Sequence, residues 1–223
     1  AALTALSRQE KTSPFSAVLA AFSLLLQRYT GHDDVIVGSP FGNRGRGGEG
    51  ARFSPWLLSI GFYAETVVLR TSLAGDPTFR ALLGRAREVV AGAAAHVDVP
   101  FEKIVEALRP AREAGRSPFF QIMLSYLAAP DTALVLPGLT VTRLDVPAGG
   151  AMFDLLVQVE DARDGLVGYF TYDADLYDQA TIARLGANLA HVLAVAVGAP
   201  DEPLSSYSVL TGDERRRVLT EWN

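Results

Sequence analysis

SPFSAVLAAFSLLLQRYTGHDDVIVG, residues 13–38, sets the fold class because it holds a complete passage from helix to strand. Ser13 before Pro14 pairs a capping hydroxyl with a residue pre-set for the first helical turn. Phe15, Val18, Leu19, Phe22, Leu25, Leu26 and Tyr29 then recur at helical spacing up to Gly31, so a helix is predicted between the two. Asp33 and Asp34 turn the chain into Val35-Ile36-Val37, a β-branched run that reads as a short buried strand ended by Gly38. The apolar stretch 15–26 is interrupted by Ser16 and Ser23 and is far shorter than the roughly 20 residues of a membrane span. It reads as a core helix, and no membrane association is expected.

Beyond this passage, residues 41–54 carry five glycines with Arg44, Arg46 and Arg52 and no apolar periodicity, which reads as a surface loop. Residues 57–69 are apolar at nearly every position, predicting a strand covered on both faces. Asp76-Pro77 opens a second helix on Phe79, Leu82, Leu83, Ala86, Val90 and Ala93, and Pro100 opens a third that runs to Leu108. Strand patterns follow over 119–127, 139–146, 154–160 and 165–172, the last two joined as a hairpin through 162–164. Asp178 caps a fourth helix with an apolar stripe of Ile182, Leu185, Leu189, Val192, Leu193 and Ala196. Thr211-Gly212-Asp213-Glu214 has capping-box spacing and starts a short helix toward Trp222. Strands interleaved with helices give an α/β fold, one mixed β-sheet flanked by helices.

Composition narrows the function classes. The 223 residues carry 20 Lys+Arg against 25 Asp+Glu, a net charge of −5, and are 49% hydrophobic, which suits a folded core. The absence of cysteine removes disulfides, thiolate metal sites and cysteine nucleophiles, and suits a reducing, cytoplasmic setting. Net acidity argues against a nucleic-acid binder, and the Gly45-Arg46-Gly47-Gly48 stretch is short and has no aromatic platform beside it. No nucleophile elbow, phosphate loop, zinc-binding His-Glu-x-x-His or dinucleotide fingerprint occurs, and no metal ligand set stands out. The start at Ala1 and the stop just after a helical pattern has begun read as cuts inside a longer chain.

Three histidines are candidate bases. His191 falls opposite the apolar stripe of its helix and reads as solvated, and His32 sits in a turn after a helix. His96 ends the second helix in His96-Val97-Asp98-Val99-Pro100-Phe101-Glu102, where the helix dipole favours a charged imidazole and Asp98 is placed to fix its tautomer. The alternative is a connector between two helices tied by side-chain hydrogen bonds.

This segment resembles the His-Gln-Asp-Tyr-Pro-Phe-Glu motif of nonribosomal peptide synthetase condensation domains, matching at His96, Asp98, Pro100, Phe101 and Glu102 and departing at Val97 and Val99. Residues 60–66, Ile-Gly-Phe-Tyr-Ala-Glu-Thr, are similar to that family's Ile-Gly-x-Phe-Val-Asn-Thr. Residues 112–119, from Arg112 through Arg116 and Ser117, are similar to its Arg-Asp-x-Ser-Arg-Asn-Pro-Leu. The three motifs stand in the family's order, and residues 29–40, 172–178 and 210–223 are also similar to stretches of that family, so the likeness covers nearly the whole chain.

The resemblance implies the C-terminal lobe of a domain built from two chloramphenicol-acetyltransferase-like lobes that meet at a tunnel. It implies residues 1–209 as the lobe and 210–223 as the start of a linker toward an adenylation domain. Donor and acceptor carrier domains are the implied partners, delivering substrates on phosphopantetheine arms, with no cofactor bound directly. The catalytic histidine of the His-His-x-x-x-Asp-Gly motif belongs to the N-terminal lobe, and no catalytic residue is assigned in this chain. Gly61, Tyr63, Glu65 and Ser117 are the implied tunnel positions. Glu65 and Ser117 stand where the family has Asn, and Ala64 where it has Val. These departures point to an unusual acceptor, or to an epimerising, heterocyclising or noncatalytic partner-recruiting sibling. Arg112 and Arg116 are expected in salt bridges with Glu102 or Glu106, or at substrate. Glu65 is expected either in an ion pair with Arg70, Arg112 or Arg116, or on the acceptor. Residues 147–152 read as a loose hairpin or as a crossover to the partner lobe.

Overall fold

A computed structural model describes residues 2–43, 59–111, 115–127, 136–142, 144, 149–162 and 165–221. The opening transition forms as its spacing predicts. Helix α2 (Pro14–Thr30) starts at Ser13, whose hydroxyl accepts from the Ser16 amide at 3.1 Å. It stops at Gly31, whose φ of 73° is a left-handed conformation suited to glycine. Helix α1 (Ala2–Gln9) precedes it; its eight residues bury only Leu6 and Ser7, too few to show a periodicity in the sequence. Arg80 fastens the turn after α1, pairing with Glu10 and, at 2.6 Å, with Asp201.

Strand β1 (Asp34–Gly42) runs past the predicted stop at Gly38, because antiparallel pairing with β2 (Ala64–Ser72) continues to Gly42↔Ala64. On its other side β1 meets β3 (Ile122–Leu127) only at Gly38↔Met123, so Pro40 lies where that side is already an edge. Strand β2 departs from expectation. It begins at Ala64, and Val67, Leu69 and Thr71 are buried while Arg70 on the other face is exposed. Residues 59–63 form an irregular lead-in with Ile60 and Phe62 fully exposed, and residues 57 and 58 lie outside the described residues. Two-sided burial is absent among the described residues of this run because the large helices cover one face of the sheet.

Helix α3 (Phe79–Ala95) is capped by Thr78 rather than at Asp76. Asp76 instead takes a φ of 47° and accepts from both the amide and the hydroxyl of Ser205 at 2.7 Å, which holds its carboxyl below the usual carboxylate range. Helix α4 (Phe101–Leu108) follows. Strands β4 (Leu155–Ala162) and β5 (Gly165–Tyr172) pair antiparallel down to Ala162↔Gly165, the expected hairpin. The strand predicted over 139–146 is missing among the described residues 139–142 and 144, and Leu139 and Leu144 are exposed. Sheet order is β2-β1-β3-β4-β5, and because β3 pairs directly with β4 there is no slot between them for that segment.

Helix α5 (Gln179–Gly198) is capped by Asp178, whose carboxylate accepts from the Thr181 amide at 2.7 Å. Its length and mean hydropathy of 1.5 match a membrane span, yet Ile182, Leu185, Leu189, Val192 and Ala196 are buried in the shared core, so it is a core helix. His191 is half-buried rather than solvated. The amide of Asn188, also buried, accepts from the Tyr29 hydroxyl at 3.0 Å and donates to the Val209 carbonyl and the Glu214 carboxylate. Helix α6 (Gly212–Arg216) carries both arms of the predicted capping box between Thr211 and Glu214.

Candidate functional site

The strand register sorts the sheet into two faces. Val35, Val37, Leu69, Leu124, Leu155 and Val157 face the helices and are buried. Gly38, Thr66, Val68, Met123, Ser125, Gln158, Glu160 and Tyr169 share the opposite face. Phe101, Phe119 and Phe120 gather around that second face, whereas Glu65, paired with Phe41 and two places before the buried Val67, lies on the helix side near the start of β2.

His96 caps the C-terminus of α3, and its Nδ1 lies 2.9 Å from the Gly92 carbonyl oxygen. The ring is therefore oriented by its own helix, and no hydrogen bond links it to Asp98 among the described residues. Pro100 then starts α4, and Phe101 sets its ring edge-on to Phe119 at 5.9 Å and against Phe120 at 5.8 Å. Phe120 in turn packs on Phe153 at 5.6 Å and lies over Gly38, where an added Cβ would sit 2.3 Å from its ring. The segment from His96 to Glu102 thus acts as a connector that seats α4 on the face opposite the main helices. Glu102 is exposed, and Lys103 of α4 pairs with Glu106 at 2.8 Å. Among the described residues Arg116 pairs with Asp154 at 3.6 Å where Glu102 or Glu106 is expected, which fastens the turn before β3 to the start of β4. Arg112 lies outside the described residues, as do Arg44, Arg46 and Arg52.

The implied tunnel positions divide into two groups. Gly61 and Tyr63 lie in the lead-in to β2, where the Tyr63 hydroxyl is 2.7 Å from the Ser59 hydroxyl and its carbonyl accepts from the Asn43 amide at 2.7 Å. The Tyr63 ring lies so close over Gly61 that an added Cβ there would be 2.8 Å from it. Glu65 follows in β2 opposite Phe41, half-buried, with no hydrogen bond or ion pair among the described residues. Arg70 is engaged elsewhere, with Asp34 at 2.6 Å, and that guanidinium holds the Asp34 carboxyl below its usual range. Ser117 sits in the turn before β3, where its carbonyl accepts from Gln121 at 3.1 Å.

Residues 1–219 match the model of the condensation domain family. The chain belongs to the condensation-domain family. It is 38% identical over 225 residues to a linear gramicidin synthase of Brevibacillus parabrevis, a match that covers all of this chain and 3% of that protein. It is 38% identical over 218 residues to chondramide synthase cmdD of Chondromyces crocatus, which covers 98% of this chain and 5% of that protein. Among solved structures, the X-domain from teicoplanin biosynthesis superposes with a TM-score of 0.81 at 29% identity, over 94% of this chain and 47% of that chain. The four-domain nonribosomal peptide synthetase holo-AB3403 superposes at 0.80 with 18% identity over 95% of this chain and 17% of that one, a likeness of fold.

This condensation-domain chain therefore spans a few per cent of its curated relatives and about half of the X-domain. The mixed sheet with its flanking helices is the chloramphenicol-acetyltransferase-like fold of the family. Sequence reasoning passes over Ser125, Gln158, Glu160 and Tyr169, because a polar residue alternating with apolar ones in a strand looks like an ordinary solvent-facing position. Glu160 and Ser125 are in fact buried on the face opposite the helices, at 7% and 8% exposure.

Proposed function

We propose that this chain is the C-terminal lobe of a nonribosomal peptide synthetase condensation domain, with residues 1–209 as the lobe and 210–223 starting the linker toward an adenylation domain. The observation that carries the reading is coverage: nearly the whole chain matches the condensation model and superposes on only about half of an X-domain chain. In the complete domain, the amine nitrogen of a carrier-bound acceptor attacks the thioester carbonyl of a carrier-bound donor. The carbon–nitrogen bond forms, the carbon–sulfur bond breaks, the nitrogen loses a proton, and the phosphopantetheine thiol of the donor carrier leaves protonated. The N-terminal lobe supplies the histidine that handles the proton; this chain supplies one wall of the tunnel, in a cytoplasmic enzyme. The contact of Glu214 with Asn188 holds the start of the linker against the lobe.

Within this reading Gly61, Tyr63, Glu65 and Ser117 are the acceptor-side positions, and Glu65, one residue into β2 on the face of Val67 and Leu69, reads the acceptor from the end of the strand. Its half-buried carboxylate has no cationic partner among the described residues, which removes Arg70 and Arg116 as the ion pair that would make it purely structural. Hydrogen bonds to a charged group contribute about 1.5–3 kcal/mol. Glu65→Gln in the two-lobed domain is expected to change relative kcat/KM among acceptors by roughly tenfold or more, with stability changed by about 0.5 kcal/mol or less. Competition between carrier-bound acceptors, read by mass spectrometry beside a thermal melt, checks this. A large drop in melting temperature with unaltered acceptor preference would return Glu65 to a structural role.

A further inference from the structure

Three polar side chains line up across β3, β4 and β5 on the sheet face opposite the helices. Ser125 pairs with Gln158, and Gln158 pairs with Tyr169. Directly paired residues on one face bring their side chains within about 5 Å of each other. Gln158 Nε2 donates to Glu160 Oε1 at 2.9 Å. With its amide nitrogen committed to Glu160, Gln158 turns its carbonyl oxygen away as an acceptor. Neither that oxygen nor the Ser125 and Tyr169 hydroxyls hydrogen-bond to any described residue. Ser125 is nine-tenths buried, whereas Tyr169 is 39% exposed, so the row runs from the interior to an open side.

An acceptor of fixed orientation beside a hydroxyl donor is complementary to a peptide unit, which offers one N–H and one C=O. We infer that this row binds an internal amide of the donor chain, Gln158 Oε1 accepting the substrate N–H and the Tyr169 hydroxyl donating to its carbonyl. The donor class is then peptidyl rather than a plain acyl group, and Glu160 is the positioning residue behind Gln158. Leaving a built hydrogen-bonding group without its partner is what makes such a site discriminate.

The inference rests on the condensation reading, and the test separates the two. The two-lobed domain is assayed with one acceptor and two donor thioesters on carrier protein: a dipeptidyl donor, and its analogue in which an ester oxygen replaces the internal N–H. Wild type is expected to favour the amide donor by about tenfold in kcat/KM. Gln158→Met is expected to abolish that preference. Tyr169→Phe keeps the ring, leaves the fold intact, and is expected to lower both donors alike by several-fold, because both retain the carbonyl. Wild-type turnover without preference, a preference that survives Gln158→Met, or a Tyr169→Phe rate within twofold of wild type overturns the row while the condensation reading stands. Wild type that joins neither donor overturns both.

Discussion

Mixing donor-loaded and acceptor-loaded carrier domains with this chain alone is expected to give no amide above a no-protein control, and adding the upstream half of the domain is expected to give turnover. The effect is all-or-none because positioning two bound reactants converts an encounter in solution into a reaction within one complex, worth about 7–11 kcal/mol of barrier. That positioning needs a tunnel with two walls. One lobe holds a single sheet face, and Ile60 and Phe62 beside it stand 103% and 92% exposed, side chains that fit a covering surface rather than water. The family resemblance also places the proton-handling histidine upstream. Product detection by mass spectrometry checks the expectation. Turnover by this chain alone would contradict the two-lobe reading, and a complete domain that binds carriers without turnover would favour the partner-recruiting sibling.

Gly38→Val is expected to destabilise the sheet strongly. A Cβ at Gly38 would lie 2.3, 2.4 and 2.6 Å from three atoms of the Phe120 ring, well inside carbon–carbon contact. Phe120 has little freedom to swing aside, since it is 2% exposed and held between Phe101 and Phe153. Overpacking of this kind costs about 1–3 kcal/mol or more. For a chain of this size 3 kcal/mol corresponds to a fall of roughly 6–12 °C in melting temperature. Gly42→Val is the control: it lies in the same strand, with nothing within 4 Å of an added Cβ, and is expected to change little. A Gly38→Val protein that melts within 2 °C of the parent would mean the aromatic connector is not rigid.

Local chemistry makes part of this legible in advance. The ends of α2 and α5 follow from Ser13, Gly31 and Asp178, each acting on its own neighbours, and the capping box at Thr211 and Glu214 is likewise a four-residue matter. What depends on distant partners is not legible. The run 57–69 looks like one two-sided strand because apolar residues follow one another, but β2 begins only at Ala64, so Ile60 and Phe62 fall in an irregular lead-in and stand bare. The alternation over 139–146 is real, but β3 and β4 pair directly and leave no place between them for it. Arg116 is expected at a nearby glutamate in α4 and finds a partner in Asp154, 38 positions along. The row of Ser125, Gln158 and Tyr169 exists only once three strands are in register.

Hydrogen exchange at residues 59–63 and 149–152 reads out whether this chain is one of two lobes. These amides lie in irregular segments, and Ile60, Phe62 and Met152 expose nearly all of their side chains. Exchange should be fast in this chain alone and slowed by roughly tenfold or more in the two-lobed domain, while α2 exchanges alike in both. Equal rates in the two forms would contradict a partner lobe on this face.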